Sequence, residues 1–232
     1  GRFTDAETME AFTMAMAGRL NTQLTAQCRS AGIDAVGLSG VDGGLLAGPR
    51  KSAVRVVEDG KRKIRRGDHS GRIESVNADL LAGLLADGYT PVLSPPMAGH
   101  ESDGTVTPVN TDADRAAAAV AGGLDATLVL LTDVAGVYAD PDDPDTLITS
   151  ATTPAELEAV EAAAEGFMRK KVLAATEALA DGADRGVVAD ANATGPIQSA
   201  LDGAGTTITD SALAAAAEPA ETTATESEVN DA

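Results

Sequence analysis

The feature that most constrains this fold is an alternation of two patterns along the chain. Short, continuously apolar runs, Thr-Leu-Val-Leu-Leu-Thr at 127–132 and Gly-Val-Val-Ala at 186–189, are separated by longer Ala-rich stretches bounded by helix start and stop signals. A strand that is apolar at every position has no wet face, so it belongs in a sheet covered on both sides. Strands alternating with helices in this way imply an α/β protein. The expected architecture is an open, mainly parallel sheet with helices on both faces.

Punctuation in the sequence locates the elements. Thr4-Asp5-Ala6-Glu7 has the form of a capping box and opens a helical stretch toward residue 30, with a break at Gly18. Residues 34–38 read as a strand ending in a Gly-rich turn over 37–44. Residues 52–57 and 61–66 flank Glu58-Asp59-Gly60, a hairpin signal. Asn77 caps a helix that Gly88 stops, and 90–93 is the next strand. Helices follow over 112–124, 166–180 and 196–201. Thr153-Pro154-Ala155-Glu156 is a second capping box, with Pro at the first helical position. The folded domain is expected to span 1–210. From Ser211 the chain is dominated by Ala, Thr and Glu, without Lys or Arg and without periodicity, so 211–232 reads as a disordered acidic tail.

Charge narrows the function. The chain has 36 acidic and 17 basic side chains, a formal net charge of −19. Such a surface repels a phosphate backbone, and 2% aromatic residues with no Trp leave little to stack on bases, so nucleic acid is excluded as a partner. No apolar run approaches a membrane span, and the first one carries no basic flank of a signal peptide, so a cytoplasmic location is expected. The single Cys28 permits neither a disulfide framework nor a thiolate metal site within one chain. Acidic excess with only five lysines reads as halophilic, because self-repulsion is screened within about 3 Å at 1 M salt. Yet 9 of the 17 cations fall between Arg50 and Arg72, against three acids there. The rest of the chain holds 8 bases and 33 acids. A cationic segment kept against that background points to an anionic partner, either an acidic protein or phosphates.

No Walker A sequence is present, and no Gly-x-Gly-x-x-Gly follows a strand. His69 and His100 have no nucleophile beside them. Three other segments carry a resemblance. They are Gly1-Arg2-Phe3-Thr4-Asp5; residues 109–117 followed by Leu130-Leu131-Thr132-Asp133-Val134-Ala135-Gly136-Val137-Tyr138; and Gly166-Phe167-Met168-Arg169-Lys170-Lys171-Val172. In this order the chain resembles the amino acid kinase family, in the branch of acetylglutamate kinases and carrier-linked kinases. Taken singly each residue has an ordinary use: Asn110 as an N-cap, Asp133 in a turn, Asp114 near a helix dipole, and Lys170 or Lys171 at the surface. The joint order outweighs those readings.

The resemblance implies transfer of the ATP γ-phosphoryl group to a side-chain carboxylate, with Mg²⁺ arriving on the nucleotide and no protein metal site. It implies that Lys171 is the second of two lysines on the transferring phosphoryl group and Asp114 the residue that organises them. Arg2 would grip the α-carboxylate and Asn110 the substrate. Asp133, Val134, Gly136, Val137 and Tyr138 would hold the nucleotide, with Gly166 and Met168 across from them. It further implies a homodimer built on residues 4–27. The family's opening strand, with its Lys and Gly-Gly turn, finds no match here, which implies little or no kinase activity. Phe167 stands where acetylglutamate kinases have Gly, and Gly67-Asp68-His69-Ser70-Gly71 resembles the carrier-linked branch. Lys61, Arg62, Lys63, Arg65 and Arg66 would then dock a small acidic amino-group carrier protein of the LysW type. The expected reaction is phosphorylation of carrier-linked glutamate or aminoadipate in arginine or lysine biosynthesis. The alternatives are a kinase for free N-acetylglutamate, or a non-catalytic nucleotide- or partner-binding fragment.

Overall fold

The computed structural model describes residues 3–58 and 60–213. The chain begins with one long helical run: α1 (Ala6–Thr13), a π-helical segment (Met14–Leu20) and α2 (Asn21–Ser30). The helix does not break at Gly18; the widened turns carry the backbone through. Its N-cap is Asp5, whose carboxylate accepts the Thr8 N–H at 2.9 Å. Thr4, the expected cap, is buried instead and donates its N–H to Asp68 Oδ1 at 2.9 Å. Asp caps at least as well as Thr, so the helix starts one residue later and Thr4 joins the neighbouring strand.

Next come β1 (Ala35–Gly40), β2 (Leu46–Glu58), β3 (Lys61–Gly71) and β4 (Ser75–Val76). They are followed by α3 (Ala78–Ala86), β5 (Thr90–His100) and β6 (Val106–Val109). Asn77 caps α3 through its side chain, as the sequence indicates. These six strands form one sheet in the order β1-β5-β2-β3, with β4 on β2 and β6 on β5. Parallel pairing holds at β1–β5 and β2–β5; β3, β4 and β6 pair antiparallel.

The second half comprises α4 (Ala113–Gly123), β7 (Leu128–Thr132), β8 (Val137–Tyr138), β9 (Leu147–Ile148) and β10 (Ser150–Ala151). It continues through α5 (Pro154–Ala163), α6 (Gly166–Ala180), β11 (Arg185–Asp190), α7 (Pro196–Leu201) and β12 (Thr206–Thr209). β10-β12-β11-β7 form a second sheet, parallel at β7–β11, while β8 and β9 form a small ribbon. The α/β class holds, but the single sheet expected is divided. Among the described residues no strand joins β5 to β7.

Small residues set the packing in this half. A Cβ on Gly186 would lie 2.7 Å from the Ala175 Cβ, so α6 rests directly on β11. Both sheet halves bury Val, Leu and Ala; Val137, Val160, Val172, Leu179 and Ile208 share one core cluster. Ala212 belongs to that cluster, so the fold extends through a short 3-10 turn (Asp210–Leu213), past the expected boundary at 210. The rest of the expected acidic tail, 214–232, lies outside the described residues. No described helix is long and apolar enough to cross a membrane.

Candidate active site

α4 and α6 lie side by side and carry the central pair. α4 is capped by Asp112, whose carboxylate accepts the N–H groups of Asp114 at 3.1 Å and Arg115 at 3.2 Å. Asn110 is therefore not the cap and keeps its side chain for another use. Asp114, in the first turn, accepts a hydrogen bond from Lys171 Nζ at 3.0 Å; the two side chains are 26% and 17% exposed. Helical neighbours point about 100° apart, so Lys170 cannot share that position. Its ammonium sits 5.5 Å from the ring centroid of Phe167, which is 79% exposed. Lys171, not Lys170, is thus the lysine set against Asp114.

The first turns of α6 hold Arg169, Lys170 and Lys171 and no acid in the first turn. A helix N-terminus is already the positive end of the dipole, where cations are disfavoured and anions are stabilised. Cations gathered there suit a site meant for phosphates.

Asn110, expected on the substrate side, lies against the end of β3. The Asn110 N–H donates to His69 O at 2.8 Å, and its carbonyl accepts the Gly71 N–H at 2.9 Å. The His69 N–H donates to Thr4 O at 2.7 Å. Arg2 lies outside the described residues, but the chain following it is clamped to the segment that holds Asn110. Asp68, 0% exposed, completes the clamp by accepting the Thr4 N–H and the Ser70 hydroxyl. The sequence reading gave Asp68 no role. Beyond its place in the 67–71 resemblance, its signal is being the only acid on a strongly cationic strand. Arg50 Nε donates to the Asp68 carbonyl at 2.8 Å, and its Nη1 pairs with Glu101 at 2.5 Å. Arg50 first, then the Thr107 hydroxyl, hold the Glu101 carboxyl below the ordinary carboxylate range. That contribution to stability is present at neutral pH and is lost as pH falls through the lowered value.

Asp68→Ala leaves a buried N–H and a part-buried hydroxyl without a partner, each costing about 1–3 kcal/mol, so unfolding free energy should fall by about 2–6 kcal/mol. Asp68→Asn keeps an acceptor and should lose about half as much. A urea titration of the three proteins checks this; an unchanged midpoint for the alanine variant contradicts it.

The loop after β7 divides into two parts. Asp133, which accepts the Thr132 hydroxyl at 3.1 Å, and Val134 are exposed. Gly136 and Val137 are committed to the fold. A Cβ on Gly136 would sit 2.6 Å from Thr206 Oγ1, and the Val137 N–H donates to that same oxygen at 2.8 Å. Val137 is 1% exposed, so its side chain offers nothing to a ligand. Tyr138 is half-buried. Gly166 opens α6 at φ +52°, a left-handed conformation that favours glycine, and Met168 packs between two core clusters. Ala135 lines a cavity of about 330 Å³ together with Leu147, Asp190, Pro196 and Ser199. Lys61, Arg62, Lys63, Arg65 and Arg66 all lie exposed along β3.

Fold and site together define an α/β domain of kinase type. A loop leaves the carboxyl end of a parallel strand, and a carboxylate-anchored lysine stands beside a helix N-terminus. The chain belongs to the amino acid kinase family, whose model matches residues 2–190. It is 45% identical over 209 residues to the LysW-aminoadipate kinase of Deinococcus radiodurans, covering 89% of this chain and 70% of the relative. It is 43% identical over 210 residues to the acetylglutamate kinase of Methanopyrus kandleri, covering 89% and 79%. Among solved structures, N-acetylglutamate synthase from Neisseria gonorrhoeae with coenzyme A and N-acetyl-glutamate superposes with a TM-score of 0.68 at 25% identity, over 90% of this chain and 45% of that one. A carbamate kinase structure from Giardia superposes at 0.60 and 17% identity, over 87% and 73%, and shares the fold.

Proposed function

We propose that the site of this chain is built for ATP-dependent phosphorylation of the side-chain carboxylate of glutamate or aminoadipate whose amino group is held by an acidic carrier protein. The observation that carries the reading is the Lys171–Asp114 pair beside the α6 N-terminus. Donor and acceptor are both anions, so positioning and cationic stabilisation supply nearly all of the catalysis. Asp114 fixes the Lys171 ammonium against the transferring phosphoryl group. Asn110 and Arg2 orient the acceptor. Asp133 and Val134 flank the nucleotide, and the cavity beside Ala135 accepts its base. Mg²⁺, held mainly by phosphate oxygens and water, would supply further charge neutralisation. The exposed Met14, Leu20 and Leu24 of the first helical run support a homodimer through that run.

The cationic hairpin and the naming of relatives such as that of D. radiodurans favour a carrier-linked acceptor. The similarity to the M. kandleri enzyme supports a second reading, a kinase for free N-acetylglutamate. Neutralising Lys61, Arg62, Lys63, Arg65 and Arg66 together separates them. For carrier-linked substrate, KM should rise by about tenfold or more through lost steering and pairing, with N-acetylglutamate turnover unmoved. Undiminished use of the carrier-linked substrate sinks the docking idea.

A further inference from the structure

The β2–β3 hairpin has two unlike faces. We infer that its arginine face, rather than the whole cationic arm, is the docking surface for an acidic partner protein; the inference rests on the carrier-linked reading. The register pairs Ala53 with Arg66, Arg55 with Ile64 and Val57 with Arg62. Residues directly opposite each other in an antiparallel ladder project from the same face. Arg55, Arg62 and Arg66 therefore surround Val57 and Ile64. The opposite face carries Val54 against Arg65, Val56 against Lys63, and Lys61.

What covers the two faces differs. Val54 and Val56 are half-buried, and the Arg65 guanidinium stacks 3.9 Å from the ring centroid of Phe3. On the arginine face nothing comparable is in place among the described residues. Val57 and Ile64 are diagonal neighbours across the ladder and stand 71% and 70% exposed. Exposed apolar side chains scattered singly mean little, but an adjoining pair ringed by three arginines has the composition of an interface centre. Interfaces are enriched in Arg and depleted in Lys, and both lysines of β3 fall on the other face.

Chemistry selects the occupant. The guanidinium fork matches a carboxylate bidentately, which an ammonium cannot do. The fitting partner is an acidic protein surface that presents several carboxylates around an apolar side chain. Outside residues 50–72 this chain holds 8 bases against 33 acids, so such a partner is repelled everywhere else. In strong salt, long-range steering is screened within a few ångström. Close fork–carboxylate contacts and apolar burial still operate there, and this face offers both.

Two triple variants of equal charge test the assignment: Arg55→Gln/Arg62→Gln/Arg66→Gln, and Lys61→Gln/Lys63→Gln/Arg65→Gln. Affinity for the purified acidic carrier protein is measured by calorimetry at low and at molar salt, with KM for its glutamate- or aminoadipate-charged form alongside. The arginine-face variant should weaken binding about thirtyfold or more and the lysine-face variant about threefold, the latter loss vanishing at high salt. Val57→Ser/Ile64→Ser should weaken binding several-fold at both salt levels, since burial is not screened. Equal losses in the two triple variants, or a larger loss on the lysine face, overturn the face assignment and leave the carrier-linked reading standing. No binding of the carrier by the unaltered chain overturns that reading and this one with it.

Discussion

Replacing Lys171 with alanine is expected to lower the phosphoryl-transfer rate by about 10²–10³ while leaving the fold intact. Among the described residues the ammonium makes one hydrogen bond, to Asp114 at 3.0 Å, across the junction of α4 and α6. Removing a single positioned donor from a site where negative charge develops costs about 3–4 kcal/mol of barrier, which is two to three orders of magnitude in rate. The pair is part-buried, so its loss costs about 1–3 kcal/mol of stability, which a folded domain of this size can absorb. Asp114→Asn keeps the shape but loosens the ammonium, so a fall of about tenfold to a hundredfold is expected. Lys170→Ala should stay within about twofold of the parent, since that side chain sits over Phe167 on the surface. Single-turnover rates for the three variants, with thermal melts as the folding control, decide the matter. Retained activity in the Lys171 variant, or loss confined to the Lys170 variant, removes the basis of the proposed chemistry.

Local signals carried much of the fold. Thr153 and Glu156 form both halves of the box their spacing announces, and Asn77 caps α3 with its side chain. What local signals could not carry were features created by distant partners. β2 and β3 run well past the segments read as a hairpin, through Pro49 and Gly67, because pairing with β5, β4 and β6-side residues overrides those breakers. β6 contains Pro108, which reads as a break, yet it sits against β5 where a missing donor is tolerated. β12 is a Thr-rich run just before the tail and matches the tail's composition; its burial comes from β10 and β11. The site shows the same division. Lys171 and Asp114 are 57 residues apart, and no periodicity joins them; only the family order of motifs did. Asp68 became a buried clamp only because Thr4, 64 residues away, arrives to donate to it.

An extended segment bearing a Lys-x-Gly-Gly turn, fused ahead of Gly1, is expected to raise the transfer rate by about a hundredfold. β7 pairs with β11 on one edge, and no described strand pairs its other edge. Residues 90–94 of β5 pair with β1, and likewise nothing described takes their second edge. Between the two runs a cavity of about 340 Å³, walled by Leu93, Pro95 and Leu128 and floored by Ala116, Val120 and Ala121 of α4. Backbone donors and acceptors facing an apolar cleft are costly to leave unpaired. One strand placed there would satisfy both edges and join the two sheets into the single open sheet that the alternating pattern calls for. If that strand sets its lysine against the phosphoryl group opposite Lys171, as the proposed chemistry requires, the second positioned cation is worth about 3 kcal/mol, or roughly two orders of magnitude in rate. Fusing the same segment with Ala in place of its Lys separates structure from chemistry. Both fusions should slow amide exchange along 128–132 and raise the melting temperature, whereas only the lysine-bearing one should accelerate transfer. Equal rates from the two fusions would show that one cation suffices. Unaltered exchange at 128–132 would show that the cleft between β5 and β7 does not accept a strand.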